Sequence, residues 1–595
     1  MFDSARPTTA TGARRLFYAA LLIAVAALPW LPVNAFFIHI AQSFCYTAIA
    51  VIGLNILLGL SGQMSLGQAG FYALGAYGSA LAALRLGWPV PLAIVLGTVV
   101  AAVGGALVAV FALRTRGLYL AMATMAVGFV IEILAQRWIP VTGGAMGLTA
   151  IPQLGSRGHG AAVFLYMAGA CLLAVQIGAD YVNDSFVGRR LRAIRESETF
   201  AASIGIDVPR WRAITFAACA ALAGLGGALF AHQSGYVGSD AFTIRLSVFM
   251  LIAAVIGGLG TRTGPLLGTL LLLGIVEFLS GVEKYGLMIY GAILLGVLLA
   301  FPQGAAGILS WLRNTVSRGG ASPDPAPQRS EQATTLSGMP RGAGLSIEGV
   351  SKSYAGLLAV SDATIEVAPG TVHGLIGPNG AGKSTLINLV AGLYRCDTGK
   401  VLLDGKDMST LDTAGRAQLG LARTFQNLQL IEALTALENV LLGFVTARRS
   451  LAADFLDWWH GRSFEEGLRT EALAIMTFLG IGHAADRLPA ELSYGHRKLV
   501  ELARAIAQRP SLMLLDEPIA GLNALEAREI AQVVKRLREA GVTIVVVEHN
   551  MEFVMSICDA VSVLDHGQLI TTGVPEAVQR DARVVSAYLG GSDET

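Results

Sequence analysis

Long apolar runs fill the first half of the chain, and short alternating segments fill the second half. Residues 16–312 form an almost unbroken series of apolar stretches, ten of which are long enough to span or nearly span a bilayer. These runs cover 16–33, 38–60, 66–84, 90–113, 118–137, 160–178, 212–232, 244–261, 264–281 and 286–311. From about residue 345 the pattern changes to short apolar strands alternating with charged helices, which is typical of an α/β domain.

The pattern predicts three segments. Residues 1–314 are expected to form an all-α polytopic membrane domain with about ten transmembrane helices. Residues 345–595 are expected to form an α/β domain. Between them, 315–344 contains SRGGASPDPAPQRSEQATTLSG, which lacks the apolar residues needed for packing and predicts a flexible linker.

Arginine-rich loops give a check on topology, because Lys and Arg favour the cytoplasmic side of a membrane. If the N-terminal Arg14 and Arg15 lie inside, ten spans also place the loop 179–211 inside, and the α/β domain then emerges in the cytoplasm. The third and ninth runs are short or interrupted by glycine, and re-entrant or broken helices fit them as well. Eight spans remain an alternative if one pair of runs is misassigned.

Composition supports a membrane protein. Hydrophobic residues make up 54% of the 595 residues and charged residues 14%, and the mean hydropathy is +0.59. A bilayer can cover so much apolar surface, whereas the interior of a soluble protein of this length cannot. The net charge of +1 gives no general attraction to nucleic acid, so none is expected as a partner. The five cysteines are scattered and predict neither a disulfide framework nor a metal site.

Three stretches of the membrane half are unusually polar or rich in glycine. Residues 59–79 and 139–152 fit either interrupted helices that line a substrate site or close helix packing. Residues 188–212 include six arginines and fit a helix that lies on lipid headgroups or one that docks on a cytoplasmic partner domain.

A phosphate-binding loop begins the chemistry of the second half. The apolar strand VHGLIG at 372–377 runs into GPNGAGKST at 377–385, which is followed by an apolar helix. Glycines in this setting let backbone N–H groups surround phosphates, and Lys383 and Ser384 suit the phosphates and Mg²⁺. ATP and Mg²⁺ are therefore the predicted cofactors, and the predicted nucleotide-binding residues of the loop are Gly377, Asn379, Gly380, Ala381, Gly382, Lys383, Ser384 and Thr385.

Two further apolar strands end in polar residues. SLMLLDEP at 511–518 ends in Asp516, which suits Mg²⁺, and Glu517, which suits activation of a water molecule. VTIVVVEHN at 542–550 places His549 where it can contact a γ-phosphate. These strands follow a P-loop, and this order predicts nucleotide hydrolysis with Glu517 and His549 as catalytic residues.

The order of motifs resembles the nucleotide-binding domain of ABC transporters, an α/β P-loop NTPase with a helical subdomain. The resemblance covers 345–590. It implies that Tyr354 stacks on adenine, and that Gln426 in RTFQNLQLI senses Mg²⁺ and takes part in catalysis. It also implies that Ser493 and Gly495 in LSYGHRKLVELARAIA grip ATP bound to the opposite subunit, and that AGLN at 520–523 lies between the two sites.

Subfamily features point to importers of hydrophobic and branched-chain amino acids. LSYG and AGLN resemble their ATPase subunits, and GLNILLGLSGQMSLGQAGFYALGAY and TGGAMGLTAIP resemble their permease subunits. Tyr494 and His496 replace residues of the commoner LSGGQ signature, and Asn523 stands where Asp is usual. The resemblance favours docking of 188–212 on the ATPase.

The resemblance implies a fused permease–ATPase half-transporter that hydrolyses ATP to take up branched-chain or other hydrophobic amino acids. It implies a multi-pass protein of the bacterial inner membrane with a cytoplasmic ATP-binding domain. The implied partners are an extracytoplasmic solute-binding protein, a second permease and a second ATP-binding subunit, with a homodimer as the alternative. An importer of urea, a short amide or an aromatic acid, a membrane-tethered regulatory ATPase and an exporter remain alternative functions.

Overall fold

The structure, a computed structural model, describes most of the chain. The described residues are 18–23, 25–32, 34–112, 117–154, 160–278, 288, 291–292, 295–296, 339–354, 356–446 and 463–589. The chain divides into two compact units. The first consists of Met1–Arg195 and Pro209–Ser322, and the second of Glu196–Val208 and Pro323–Thr595.

The regular secondary structure in the described part of the first unit is helical, apart from one isolated β-bridge between Leu148 and Val237. Its first helices are α1 (Ala35–Leu54, continued as a π-helical stretch Asn55–Leu60), α2 (Gln68–Arg85), α3 (Val90–Ala112), α4 (Leu118–Arg137), α5 (Ile139–Thr142), α6 (Gly160–Asp184) and α7 (Phe186–Glu196). The next helix in the sequence, α8 (Glu198–Ser203), belongs to the second unit. The first unit then continues with α9 (Val208–Ser234), α10 (Ile244–Gly257) and α11 (Gly264–Phe278). The structural class predicted for the membrane domain, all-α, is therefore confirmed.

Five helices of the described part are long and apolar enough to cross a membrane: Ala35–Leu60, Val90–Val110, Leu118–Arg137, Gly160–Asp184 and Val208–Ser234. The apolar helices Tyr18–Trp30, Ile244–Gly257 and Gly264–Val276 are shorter. The predicted eighth run continues to 261, whereas α10 ends at Gly257 because Gly258 and Gly260 have φ values of +108° and +72°. The predicted tenth run, 286–311, and most of the linker lie outside the described residues. The number of spans stays a prediction.

Close helix packing explains several glycines of the stretch 59–79. A Cβ placed on Gly75 in α2 would lie 2.0 Å from the carbonyl oxygen of Gly224 in α9. In the reverse direction, a Cβ on Gly227 would lie 1.9 Å from the carbonyl oxygen of Tyr72. The two backbones therefore approach closely only because both helices carry glycine here.

In its described part, the second unit contains ten strands and the remaining helices. The strands are β1 (Leu345–Tyr354), β2 (Leu357–Val367), β3 (Val372–Ile376), β4 (Thr398–Leu403), β5 (Lys406–Asp407), β6 (Leu421–Arg423), β7 (Leu512–Asp516), β8 (Thr543–Val547), β9 (Ala560–Asp565) and β10 (Gln568–Gly573). The helices are α8, α12 (Lys383–Val390), α13 (Thr413–Gln418), α14 (Ala436–Leu441), α15 (Ser463–Phe478), α16 (Tyr494–Ala507), α17 (Ala524–Glu539), α18 (Met551–Ile557), α19 (Pro575–Arg580) and α20 (Ala582–Leu589). The predicted α/β P-loop domain is thereby confirmed.

Two sheets organise this unit. One has the antiparallel order β2-β1-β4-β5, and the other has the order β10-β9-β3-β8-β7-β6. In the larger sheet, β3 is parallel to β8 and β9, and β7 is parallel to β6 and β8. Every residue of β3, β7 and β8 is buried, as expected for parallel strands covered on both faces. Their carboxyl ends meet at one edge of the sheet, and that edge carries the predicted chemistry.

Candidate functional site

The loop from β3 to α12 keeps its shape through glycine. Gly377, Gly380 and Gly382 have φ values of +149°, +84° and +96°. A Cβ on Gly377 would lie 2.1 Å from the carbonyl oxygen of Leu564, and one on Gly382 would lie 2.5 Å from that of Ala359. Any other residue at these two positions would displace the loop.

Lys383 opens α12 and folds back over this loop. Its Nζ donates to the carbonyl oxygens of Gly377 at 2.7 Å and Pro378 at 2.8 Å. Partial burial lowers the pKa of Lys383, and the nearby carboxylates of Glu517 and Asp516 oppose that shift. The ammonium group therefore lies between the loop and the acidic end of β7, where a phosphate would neutralise it.

The other predicted loop residues lie on the same turn. Asn379 and Gly380 are exposed, and Ala381 is buried. Ser384 and Thr385 belong to the first turn of α12, with Ser384 exposed. A Cβ on Gly380 would meet no atom within 4 Å, so the outer side of the loop is open.

Asp516 ends β7 and is held by an arginine. Arg423 Nη2 donates to Asp516 Oδ2 at 2.9 Å, and Arg423 Nη1 donates to Asn388 Oδ1 in α12 at 2.6 Å. Asp516 is only 6% exposed. Burial lowers the pKa of Arg423, while the Asp516 carboxylate opposes that shift. Arg423 thus connects the helix after the P-loop to the predicted magnesium ligand, and it is not among the predicted site residues.

Glu517 lies beside Gln426. Gln426 Nε2 donates to Glu517 Oε2 at 3.0 Å, and the Glu517 backbone N–H donates to the Val547 carbonyl at 2.9 Å. The φ of Glu517 is +47°, a left-handed conformation that is uncommon for a residue other than glycine. The structure thus brings together two of the three predicted catalytic side chains.

His549 follows β8 and is largely exposed. Its side chain is 64% exposed, and its Nδ1 lies 3.7 Å from Glu548 Oε2. Glu548 is buried. It is not among the predicted site residues. Its only sequence signal is its position next to His549 at the end of a strand.

Tyr354 ends β1 with an exposed ring, 38% of the residue being accessible. The ring of Tyr394 meets it edge-on with centroids 5.6 Å apart, and Lys352 Nζ lies 5.7 Å from its centroid. An exposed, braced aromatic face of this kind can stack on a planar base.

The predicted signature residues begin α16. Ser493 is the N-cap, and its Oγ accepts from the His496 backbone N–H at 3.3 Å. A Cβ on Gly495 would lie 2.3 Å from Glu526 Oε1. Asn523, which stands where Asp is usual, caps α17 by accepting from the N–H groups of Leu525 and Glu526 at 3.0 Å each. An amide oxygen performs this capping as a carboxylate would.

Burial and the neighbouring imidazole of His483 lower the pKa of His496. The two rings meet edge-on with centroids 5.5 Å apart. His496 is therefore a neutral side chain near pH 7 in the described arrangement.

Three buried charged residues, spaced three apart, line one face of α16. Lys498 Nζ lies 3.4 Å from the carbonyl oxygens of Gln426 and Glu517. Glu501 Oε1 accepts from the Phe425 N–H at 3.2 Å, and burial raises the pKa of this carboxyl group. The spacing of three residues places these side chains on one face of the helix, but it does not predict their partners.

The third residue of this face, Arg504, contacts a segment from the middle of the permease sequence. Its Nη1 donates to the Gln429 carbonyl at 2.6 Å, and burial lowers its pKa to about 10. Its guanidinium carbon lies 4.0 Å from the ring centroid of Phe200 in α8, and Phe200 is 1% exposed. In addition, Gln418 Nε2 donates to the Gly205 carbonyl at 3.2 Å. Residues 196–208 therefore pack as part of the second unit.

In the first unit, an open apolar groove of about 490 Å³ joins the two polar stretches of the sequence. Its lining includes Leu74, Tyr77, Ile131, Leu134, Trp138 and Thr142. The stretches 59–79 and 139–152 thus contribute to one surface, which their separation in sequence does not reveal.

The donor set of the second unit fits a nucleotide with Mg²⁺. Asp516 and Ser384 offer oxygen atoms, the ligand type that Mg²⁺ prefers, and Arg423 leaves Oδ1 of Asp516 for another partner. Lys383 and the backbone of the glycine loop supply the positive side.

Comparison with protein families gives three matches. A model described as "Branched-chain amino acid transport system / permease component" matches residues 36–298, and one described as "ABC transporter" matches 360–520. A third, described as "Branched-chain amino acid ATP-binding cassette transporter", matches 568–594.

Three similar curated proteins are ATP-binding proteins of transport systems, and each match covers 41% of this chain. The lipopolysaccharide export system ATP-binding protein LptB of Haemophilus influenzae is 35% identical, over 41% of this chain and 97% of LptB. The high-affinity branched-chain amino acid transport ATP-binding protein BraF of Pseudomonas aeruginosa is 36% identical, with the same coverage. The corresponding protein LivG of Escherichia coli is 34% identical, over 41% of this chain and 97% of LivG.

Proposed function

The chain belongs to the branched-chain amino acid family of ABC transporters, and from this premise we propose that it takes up a branched-chain or other hydrophobic amino acid. It would act as a fused permease–ATPase half-transporter. The proposal is carried by the combination of two features in one chain. Residues 36–298 match a permease model, and one edge of the larger sheet of the second unit brings Lys383 close to Asp516 and Glu517. The ATPase half alone does not distinguish uptake from export, since LptB is also similar to it. The permease match favours uptake.

Hydrolysis is assigned to the edge of the larger sheet. Tyr354 stacks on adenine, and the P-loop residues from Gly377 to Thr385 hold the phosphates with Lys383. Glu517 orients and deprotonates the attacking water, and Gln426, which donates to Glu517, fixes the carboxylate. His549 contacts the γ-phosphate.

Ser384, Gln426 and Asp516 are the proposed magnesium ligands. When bound, Mg²⁺ offsets phosphate charge in the transition state. Arg423 holds one oxygen of Asp516 and so fixes the direction of the other.

The contacts of residues 196–208 with α13 and α16 support a coupling role for this segment. Arg504 connects Phe200 to the backbone of Gln429, and Glu501 holds Phe425 beside Gln426. A movement of Gln426 on ATP binding would therefore be transmitted to Phe200 through α16, the helix that carries Glu501 and Arg504.

We assign the chain to a dimer, because one chain carries one P-loop and one signature motif and each closed ATP site needs both from opposite subunits. The proposed partners are a second permease, a second ATP-binding subunit and an extracytoplasmic solute-binding protein, in the bacterial inner membrane. The mass of the complex purified in detergent from its native host tests this assignment. Two copies of this chain alone, with ligand-stimulated turnover, would replace the heteromer by a homodimer.

Transport is tested in proteoliposomes that contain the purified complex and its solute-binding protein, with ATP on the side of the nucleotide-binding domain. The expected result is ATP-dependent accumulation of labelled leucine, isoleucine or valine that Glu517→Gln abolishes. Accumulation of urea or benzoate in their place would contradict the substrate class. Ligand-stimulated ATP turnover without flux of any solute would indicate a regulatory ATPase instead.

A further inference from the structure

Glu548 is a buried carboxylate that contacts two loops at the catalytic edge. It directly precedes His549 and is 1% exposed. Its Oε1 accepts from the Ile519 backbone N–H at 3.1 Å. Its Oε2 accepts from the N–H groups of His549 at 3.1 Å and Asn550 at 3.5 Å. One carboxylate thus holds backbone groups that follow two different strands, β7 and β8.

Burying a carboxylate is unfavourable unless its charge and lone pairs are satisfied. Here the three N–H groups satisfy both oxygens, and charge-assisted bonds of this kind are stronger than neutral ones. An apolar residue at 548 would avoid the desolvation but would leave these three buried or half-buried N–H groups without their acceptor. The hydrogen bonds of Glu548 therefore fix the backbone of both loops and offset the cost of burying its carboxylate.

Each of the two loops adjoins or contains a residue with a proposed role in hydrolysis. Ile519 lies two residues after Glu517 and leads to Asn523, the cap of α17. The other loop carries His549. We propose that Glu548 is a positioning residue for ATP hydrolysis, which holds the backbone of residues 517–523 and of His549 in one arrangement. This inference rests on the proposed roles of Glu517 and His549.

The test uses Glu548→Gln in the full-length protein within its assembled complex. Glutamine has the same shape, but an amide nitrogen replaces one acceptor oxygen, so one of the two loops loses its hydrogen bond. We expect kcat for ATP to fall about tenfold, since small misplacements of catalytic groups have effects of this size or larger, while KM for ATP stays unchanged. Amide hydrogen exchange at Ile519 or at His549 should become faster. The matched control is Glu552→Gln, an exposed carboxylate of α18, which should change neither measurement.

A double-mutant cycle with His549→Ala separates positioning from general destabilisation. If Glu548 acts through His549, Glu548→Gln should lower turnover by less than about twofold in the His549→Ala background. A full additional tenfold loss in that background without faster exchange at Ile519 would overturn the inference, as would unchanged kcat in Glu548→Gln. Normal turnover of His549→Ala itself would instead contradict the proposed role of His549, on which the inference rests.

Should Glu548→Gln not fold, Glu548→Asp replaces it, because aspartate keeps both acceptor oxygens on a side chain one methylene shorter. The same split is expected, with kcat reduced and KM for ATP unchanged. An increase in KM with unchanged kcat would overturn the positioning role.

Discussion

Phe200→Ala is expected to disconnect ATP hydrolysis from transport. Phe200 is 1% exposed and lies 4.0 Å from the guanidinium carbon of Arg504. Truncation of a fully buried phenylalanine costs about 3–5 kcal/mol, and loss of a desolvated cation–π contact adds up to about 2 kcal/mol. Even the lower value of about 3 kcal/mol would reduce the equilibrium constant for docking of residues 196–208 about a hundredfold.

The assay compares solute uptake with ATP turnover in the same proteoliposomes. With a wild-type docking constant of about 10, uptake should fall about tenfold, because a hundredfold reduction leaves about a tenth of the segment docked. Turnover should stay within about twofold, since Phe200 touches none of the proposed catalytic groups. The matched control is Thr199→Ala, an exposed position on the same helix, which should leave uptake unchanged. Normal uptake by Phe200→Ala at normal expression would refute the coupling role of this segment. An equal fall in turnover would show that Phe200 supports the catalytic edge instead.

Three other predictions concern catalysis, topology and acid stability. Glu517→Gln should keep ATP binding but lower turnover about a hundredfold or more, and wild-type turnover would reject Glu517 as the base. In a cysteine-free background, Met146→Cys, 85% exposed, should react with a membrane-impermeant thiol reagent from outside and Thr199→Cys only from the cytoplasm, whereas reversed labelling would reject the topology. Burial lowers the pKa of His373 to about 4 from its usual 6.5, so the folded state binds fewer protons than the unfolded state between these values. Stability should therefore fall by about 3 kcal/mol as pH drops from 6.5 to 4, and a melting temperature with the same pH dependence in His373→Gln would contradict this.

The P-loop and the ends of β7 and β8 could be predicted from sequence because their chemistry lies in contiguous residues. An apolar strand followed directly by Asp516 and Glu517 already states where the carboxylates are, and parallel strands bring such ends to one edge. The helical character of the first unit could be predicted for the same reason, since long apolar runs mark five of its described helices.

The supporting residues could not be predicted, because their partners are backbone groups or distant side chains. Arg423 meets Asp516 across 93 positions of sequence, and Glu548 meets Ile519 across 29. In the sequence each is an ordinary charged residue next to a strand. The end of α10 was also predicted too late, since hydropathy continues past Gly257 while the backbone turns at Gly258.

The placement of α8 has a consequence for how the ATPase half acquires its complete interior. Phe200 leaves the ribosome long before β1, so its contact with Arg504 can form only after the chain has been made as far as α16. A fragment that starts at residue 345 would lack Phe200 altogether, and water would reach a guanidinium group that is 3% exposed in the whole chain. Such a fragment would leave the place beside Arg504 unoccupied, and a synthetic peptide covering 196–208 carries the side chain that occupies it in the whole chain. The ATP-binding unit of this chain is thus not formed by one continuous segment of sequence. It includes thirteen residues (196–208) that lie between α7 and α9 of the first unit in the sequence.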